Sequence, residues 1–342
     1  MPVSRRRVLV ASGAFAIATP WRARAAETAA PPRPGRDAIG SGEAWPTRAL
    51  RLVVPQAPGG TADAVARMFG DRLEPVLGIP VVVDNRPGAN GIIAGDAVRR
   101  AAADGATMLV ASTHTFVIAP MVSAGEAFDP LRDFMPVANL ATQTKVLLVS
   151  PATPATTAME LVEVARRRAG VLNYASTGVG SASHLDTELF ARSNGLELVH
   201  VPYRGSGQSV AAVAANEVQV LFASVTAALG AVRAGQVRAL AILAARRSPL
   251  LPDVPTLAET GLPTLDVQTW LGIVAPAGTP PAIVGSLNDA LVRIVERPEM
   301  RAWFAAQGLD PIGGTPEAFA AAIRSDREKW GRLVERLGIA RR

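Results

Sequence analysis

The feature that most limits what this chain can become is an alternation of short β-branched runs with amphipathic segments of helical period. It begins near Arg48 and continues to about Leu243. Leu50–Pro55 is an apolar run of strand length. Thr61–Leu77 then places Val65, Phe69, Leu73 and Val76 on one helical stripe and stops at Gly78. A strand over Pro80–Asp84, a helix over Ile92–Ala103 and a strand over Thr107–Ser112 complete a first series. The second series opens with strand Lys145–Ser150 and helix Thr157–Arg168, then strand Leu172–Ala175 and helix Ser183–Ser193. It continues through strand Glu197–Val201, helix Ser209–Ala215, strand Val218–Ala223, helix Ala227–Ala234 and strand Val237–Leu243. Residues 246–263 read as loop, Trp270–Ala275 as a strand, and Pro281–Glu296, Glu299–Gln307 and Pro316–Leu337 as helices. Strand–helix alternation specifies an α/β fold with parallel strands, whose ligands sit outside the carboxyl ends of the strands.

The chain of 342 residues has no cysteine, which removes disulfide scaffolds, thiolate metal sites and cysteine nucleophiles together. Its net charge of +6 invites a nucleic-acid reading, but Arg5, Arg6, Arg7, Arg22 and Arg24 lie in the first 25 residues and account for nearly all of the excess. No basic run interleaved with aromatics follows, so nucleic acid is not an expected partner. The only lysines are Lys145 and Lys329, which excludes a P-loop and a Ser-x-x-Lys acylase motif. The three histidines, His114, His184 and His200, have no metal-ligand spacing, and neither a metal nor a cofactor is expected. Residues 178–183 begin like a dinucleotide fingerprint but carry Ser183 where the third glycine belongs.

The first 25 residues have the layout of an export signal: an arginine-rich start, a short apolar stretch over Val8–Thr19, and Ala23-Arg-Ala25 as a cleavage site. The apolar stretch is too short to span a bilayer. The arginine pair suits a twin-arginine signal, with a Sec signal the alternative. Residues 26–46, rich in Ala, Pro and Arg, read as a flexible linker. The expected location is the periplasm.

Glycine- and hydroxyl-rich loops recur where strands give way to helices. They are residues 56–63, 85–91, the Ser112-Thr113-His114 corner, and 176–184, where Ser183 and Asp186 stand in capping-box relation. Loops of this kind present free N–H groups at positive helix ends, which suits an anion. Several of them in two α/β halves describe a cleft.

The phrases PQAPGGTAD (55–63), NRPGANG (85–91), NYASTGVGS (173–181), HLDTELF (184–190), HVPYRG (200–205), PDVPT (252–256) and APAGTP (275–280) occur in this order. Together they resemble the extracytoplasmic receptors of tripartite tricarboxylate transporters, the Bug family, over about Arg48 to Ile339. The resemblance implies an α/β, two-domain periplasmic binding protein fold of type II, a Venus flytrap of parallel-rich sheets flanked by helices. Lobe 1 would comprise 47–142 plus 271–342 and lobe 2 would comprise 143–270. It implies a non-catalytic monomer that captures a small organic carboxylate and delivers it to the membrane permease subunits of a tripartite transporter. It also implies that Gln56, Gly59, Gly60, Thr61, Asp63, Asn85, Ala89 and Asn90 hold a ligand carboxylate, partly through backbone amides and bridging water. Ser176, Thr177, Gly178, Gly180, Ser181 and His184 would close on it from the other lobe.

The sequence departs from the family after the Val218–Phe222 strand, where an aspartate commonly faces the variable end of the ligand and Ala223 stands here. That loss favours a far end that is neutral, apolar or anionic over one bearing an ammonium group. Residues 211–217 lack the usual Gly-Gly turn. Thr113 and His114 border the expected cleft. Arg204 could clamp a carboxylate in bidentate fashion, or stand as a solvated loop arginine. Tyr203 is placed to brace its loop or to touch ligand. An exported sensor, or a hydrolase on the same scaffold, is the alternative function.

Overall fold

The computed structural model describes residues 45–123, 127–265 and 267–338. The expected export signal lies outside them, as does all but the last two residues of the expected linker.

In chain order the elements are β1 (Leu50–Val54), α1 (Thr61–Leu77), β2 (Val81–Asn85), α2 (Ile92–Arg99), β3 (Thr107–Ser112), α3 (Ala119–Val122), β4 (Phe134–Gln143) and β5 (Lys145–Val149). There follow α4 (Ala158–Arg167), β6 (Asn173–Ser176), α5 (Ala182–Asn194), β7 (Val199–Pro202), α6 (Ser206–Ala214), β8 (Val220–Ser224), α7 (Val225–Arg233) and β9 (Arg238–Leu243). The chain closes with β10 (Thr269–Pro276), α8 (Pro281–Val295), α9 (Pro298–Ala306), β11 (Leu309–Pro311) and α10 (Pro316–Leu337). A π-helical turn over Thr113–Ile118 joins β3 to α3.

The strands form two sheets, ordered β11-β4-β10-β3-β1-β2 and β7-β6-β8-β5-β9. Period-two alternation sorts their side chains. Leu50, Leu52 and Val54 pack with Val65, Phe69 and Leu73 of α1 and with Leu287 and Leu291 of α8. Val53 turns to the opposite face, into a core with Phe116, Phe134 and Phe319. In the second sheet Leu147 and Val149 meet Leu161 of α4 and Phe190 of α5, while Val146 and Leu148 meet Val210 of α6 and Val225 of α7. Each such buried side chain contributes about 1.5–3 kcal/mol, so helices on both faces are what make these sheets stable.

The sheets are mixed rather than parallel-rich, which corrects the expectation. β1 is parallel to β2 and β3, but β10 runs antiparallel to both β3 and β4, and β5 runs antiparallel to β8 and β9. The cause is the traffic between the sheets. Parallel neighbours need a crossover helix, whereas β10 arrives from the other sheet without one and inserts between β3 and β4.

β4 itself was not legible as a strand. It leaves the first sheet at Gln143, and β5 enters the second at Lys145, so Thr144 alone joins them. That residue is tied on both sides. Its N–H donates to Gly308 O (3.2 Å), its hydroxyl donates to Asp310 Oδ2 (3.0 Å), and its carbonyl accepts from Val225 N (3.1 Å). A buried knot stands beside it: Trp270 Nε1 and Thr113 Oγ1 both donate to Asp326 Oδ2, at 2.7 and 3.3 Å, and Lys329 Nζ lies 2.8 Å from Asp326 Oδ1.

Two helices begin earlier than the hydrophobic pattern suggests, α6 at Ser206 and α7 at Val225. The first turn of α6, Ser-Gly-Gln-Ser, is polar and carries no apolar stripe to mark it, while Val225 at the start of α7 follows directly on the apolar run of β8. The 211–217 turn is made without Gly-Gly because Asn216 takes the left-handed conformation (φ 58°) that asparagine tolerates.

Gly272, in the middle of β10, has no room for a side chain: a Cβ would lie 2.4 Å from Phe319 Cζ and 2.7 Å from the Ala138 carbonyl oxygen. The backbone oxygen cannot swing aside. Gly272→Ala is therefore expected to destabilise by about 2–3 kcal/mol, the upper part of the overpacking range. Thermal denaturation checks this, and an unchanged melting temperature would refute it.

Candidate functional site

A cavity of about 560 Å³ lies between the two sheets, lined from the first by Gln56, Gly59, Gly60, Thr61, Ser112, His114 and Gln143. From the second come Lys145, Thr177, Ser183, Asp186, Ser206, Ser209 and Ala223–Ser224. Four helices of eight residues or more, α1, α5, α6 and α7, present their N-terminal turns to it.

They differ in how those turns are satisfied. Ser181 caps α5 by accepting from His184 N, and Ser224 caps α7 by accepting from Ala227 N. α1 and α6 begin at Gly60 and Gly205 and have no side-chain cap. The first N–H groups of these two helices, one in each lobe, are left to whatever enters the cleft.

The residues around the α1 loop divide into lining and bracing groups. Gln56, Gly59, Gly60 and Thr61 line the cavity. Asp63 does not: it is buried, accepts from Gly59 N (2.9 Å), and meets Arg67 and Asn85 Nδ2, each at 3.0 Å. Hydrogen bonds from Arg67, Gly59 and Asn85 outweigh burial and hold its carboxyl below the usual range. Asn85 also donates to Gln56 O (3.0 Å), so it ties the two loops together. Ala89 and Asn90 are exposed in a short turn with positive φ and stand outside the cavity lining.

In the second lobe only Thr177 of the expected loop residues lines the cavity. Ser176 is fully buried, 2.6 Å from His200 Nε2 and bonded to Gly178. Gly180 N donates to His184 Nδ1 (2.9 Å), and the His184 ring stacks on His200 with centroids 4.0 Å apart. Gly178 and Gly180, at φ 128° and 74°, give the loop its shape, and with Ser181 and His184 they form a scaffold behind Thr177. Neither Ser176 nor its partner His200 lines the cavity. Arg204 is exposed and Tyr203 reaches Glu217 (3.3 Å); neither lines the cavity. Thr113 points away from it, to Asp326 and Trp270 N. His114 lines it, with Nδ1 buried and unpartnered.

The structure overturns one sequence expectation outright. Asp186 is not a capping-box partner of Ser183, because Ser181 is the cap; instead it forms a 2.5 Å ion pair with Lys145, both side chains buried. No local spacing could reveal a pair 41 residues apart. Burial pushes the Asp186 carboxyl up to about 6, with Lys145 and then Lys329 pulling it back. Ser112, from the corner the sequence did mark, lines the cavity too, and Gln143, Ser206, Ser209, Thr269 and Gln307 are further lining residues that the sequence did not single out.

Two α/β lobes around a cleft walled by helix N-termini and hydroxyls make a solute-binding protein of the periplasmic type. Residues 65–339 match the tripartite tricarboxylate transporter family receptor. The chain is 38% identical over 293 residues to a protein of the tcbD–tcbE intergenic region of Pseudomonas sp. strain P51, covering 85% of this chain and 87% of that one. It is 34% identical to BugT of Bordetella pertussis over 87% of this chain and 92% of that one. Among solved structures it is similar to R. palustris Rpa4515 with adipate (TM-score 0.78, 34% identity, 86% of this chain and 99% of that one). MatC from Rhodopseudomonas palustris with bound malate is also similar (TM-score 0.73, 33% identity, 85% and 100%). The chain belongs to the tripartite tricarboxylate transporter receptor family, whose members are solute-binding receptors rather than enzymes.

Burial lowers all three histidines to about 4, helped at His114 by Lys145 and at His200 by His184. Between that value and the ordinary 6.5 the unfolded chain binds protons that the native one does not. The stability the histidines contribute is therefore fully present above pH 6.5 and is lost as pH falls toward 4. Raised Asp186 opposes this in part. Calorimetry across that window should show the melting temperature falling, with a shallower fall in His200→Gln. A flat profile would refute the assignment.

Proposed function

We propose that this protein is an exported receptor that captures a small organic carboxylate between its lobes and delivers it to a membrane permease of the tripartite type. The single observation that carries this is the pair of glycine-started, uncapped helix ends facing one cavity from opposite lobes. Each offers unsatisfied N–H groups and a positive dipole end, worth about 0.3–1 kcal/mol for a nearby anion and up to about 2 when partly buried. A carboxylate has the lone pairs to accept from several N–H groups at once. Neighbours solved with adipate and with malate support the ligand class, and the family's name supports the permease partner. The arginine-rich N-terminus and the periplasmic relatives support export.

Proline is tolerated at the first helical position while removing its N–H. Gly60, at φ −81° and ψ 169°, already has the backbone that precedes a proline. Thr61→Pro should therefore fold and weaken carboxylate binding by about tenfold or more, roughly 1.4 kcal/mol. Thr61→Val, which keeps the N–H, should weaken it less. Ser206→Pro tests the opposite helix in the same way. Thermal-shift screening of organic acids followed by calorimetry provides the measurement, and unchanged affinity in both proline variants would overturn the carboxylate site. For export, N-terminal sequencing of the periplasmic fraction should begin at Ala26; a product retaining Arg5–Arg7 there would contradict it.

A further inference from the structure

Resting on the carboxylate reading above, we propose that the Lys145–Asp186 pair is the specificity element of the cleft. It selects acids whose far end carries a neutral hydrogen-bonding group, a hydroxyl foremost, over those ending in a methyl, a second carboxylate or an ammonium. Ala223 removes the acid expected on β8, yet α5 brings another carboxylate, Asp186, to the cavity wall. Both members of the pair line the cavity, with Lys145 5% and Asp186 0% exposed.

The pair has unused bonding capacity. Lys145 Nζ donates one hydrogen bond to Asp186 Oδ2, and Asp186 Oδ1 is buried without a partner. An ammonium carries three donors, so Lys145 has others to give. Thr269 Oγ1 and His114 Nδ1, also in the wall, are buried and unpartnered as well. A hydroxyl carries both an acceptor suited to Lys145 and a donor suited to Asp186 Oδ1.

Charge decides against the rivals. The groups facing Asp186 are Lys145 from β5, neutral His114 from the π-helical turn, and Lys329 with its partner Asp326 from α10; His184 and Glu188 lie on its own helix. Lys145 is matched by Asp186 itself, and Lys329 lies against Asp326. A second ligand carboxylate would set an uncompensated anion beside Asp186, an ammonium would set an uncompensated cation beside Lys145, and a methyl would leave Asp186 Oδ1 unbonded in a closed site.

The test is calorimetry at about pH 7.5 with matched acids: butyrate, 4-hydroxybutyrate, succinate and 4-aminobutyrate, and their six-carbon counterparts hexanoate, 6-hydroxyhexanoate, adipate and 6-aminohexanoate. In at least one length the hydroxy acid should bind about tenfold more tightly than the other three, about 1.4 kcal/mol. Replacing a buried pair by apolar residues of similar size usually preserves folding. Lys145→Met with Asp186→Leu should therefore keep carboxylate binding and reverse the preference toward the methyl-ended acid. Asp186→Asn, which keeps size and an acceptor, should gain about tenfold for the dicarboxylate. Equal affinities in the native protein, a dicarboxylate preferred there, or an unchanged order in the double variant would each overturn the proposal while leaving a carboxylate receptor. Failure of all eight acids would overturn the underlying reading instead.

Discussion

A helix that starts at a glycine in a cleft has no side chain to cap its first N–H groups, which are left to water or to a ligand. Here α5 and α7 use serine caps, so the chain has the usual device at hand. α1 and α6 forgo it. Everything around these two ends holds them in that condition. Asp63 occupies Gly59 N and pins the loop through Arg67 and Asn85, and the Gln208 side chain takes Arg204 N ahead of α6. The bracing residues are polar and sit behind the N–H groups they position: Asp63 is buried, Arg67 and Gln208 are exposed, and none of them lines the cavity.

The two lobes are built by the same means but joined by different ones. Within each, period-two strands place apolar side chains on both faces and helices cover them. Between them, the chain crosses at Thr144 and returns through residues 244–268 to β10. The polar knot of Asp326, Trp270, Thr113 and Lys329 secures the place where α10 meets that return. Buried pairs of this kind add little net stability, but breaking one partner is costly, so they hold geometry more than they add strength.

Periodicity made the first β-α-β stretch legible, because Val65, Phe69 and Leu73 repeat at helical spacing and Gly78 ends the run with φ 68°. β4 escaped for an equally physical reason. Its sequence, FMPVANLATQ, shows no alternation, since it lies in the interior of a sheet covered on both faces and carries Pro136 and Asn139 as well. With β4 unread, Gln143 and Lys145 could not be seen as the two sides of a crossing. The loop motifs were legible as loops, but motif membership does not tell a lining residue such as Thr177 from a scaffold residue such as Ser176 one position away. Asp186 was visible and misassigned, because a serine three residues earlier offered a local explanation for it.

The crossing at Thr144 also has a kinematic meaning. Gln143 belongs to one sheet and Lys145 to the other, and both face the cavity. With the neighbouring residues fixed in ladders, a rotation of one lobe against the other must pass on this side through the φ and ψ of a single residue. At this crossing the freedom of motion is a pair of dihedral angles, in contrast to the long return through residues 244–268. A torsional change at Thr144 would swing the Lys145 ammonium relative to Thr61 and Gln143 without altering either wall.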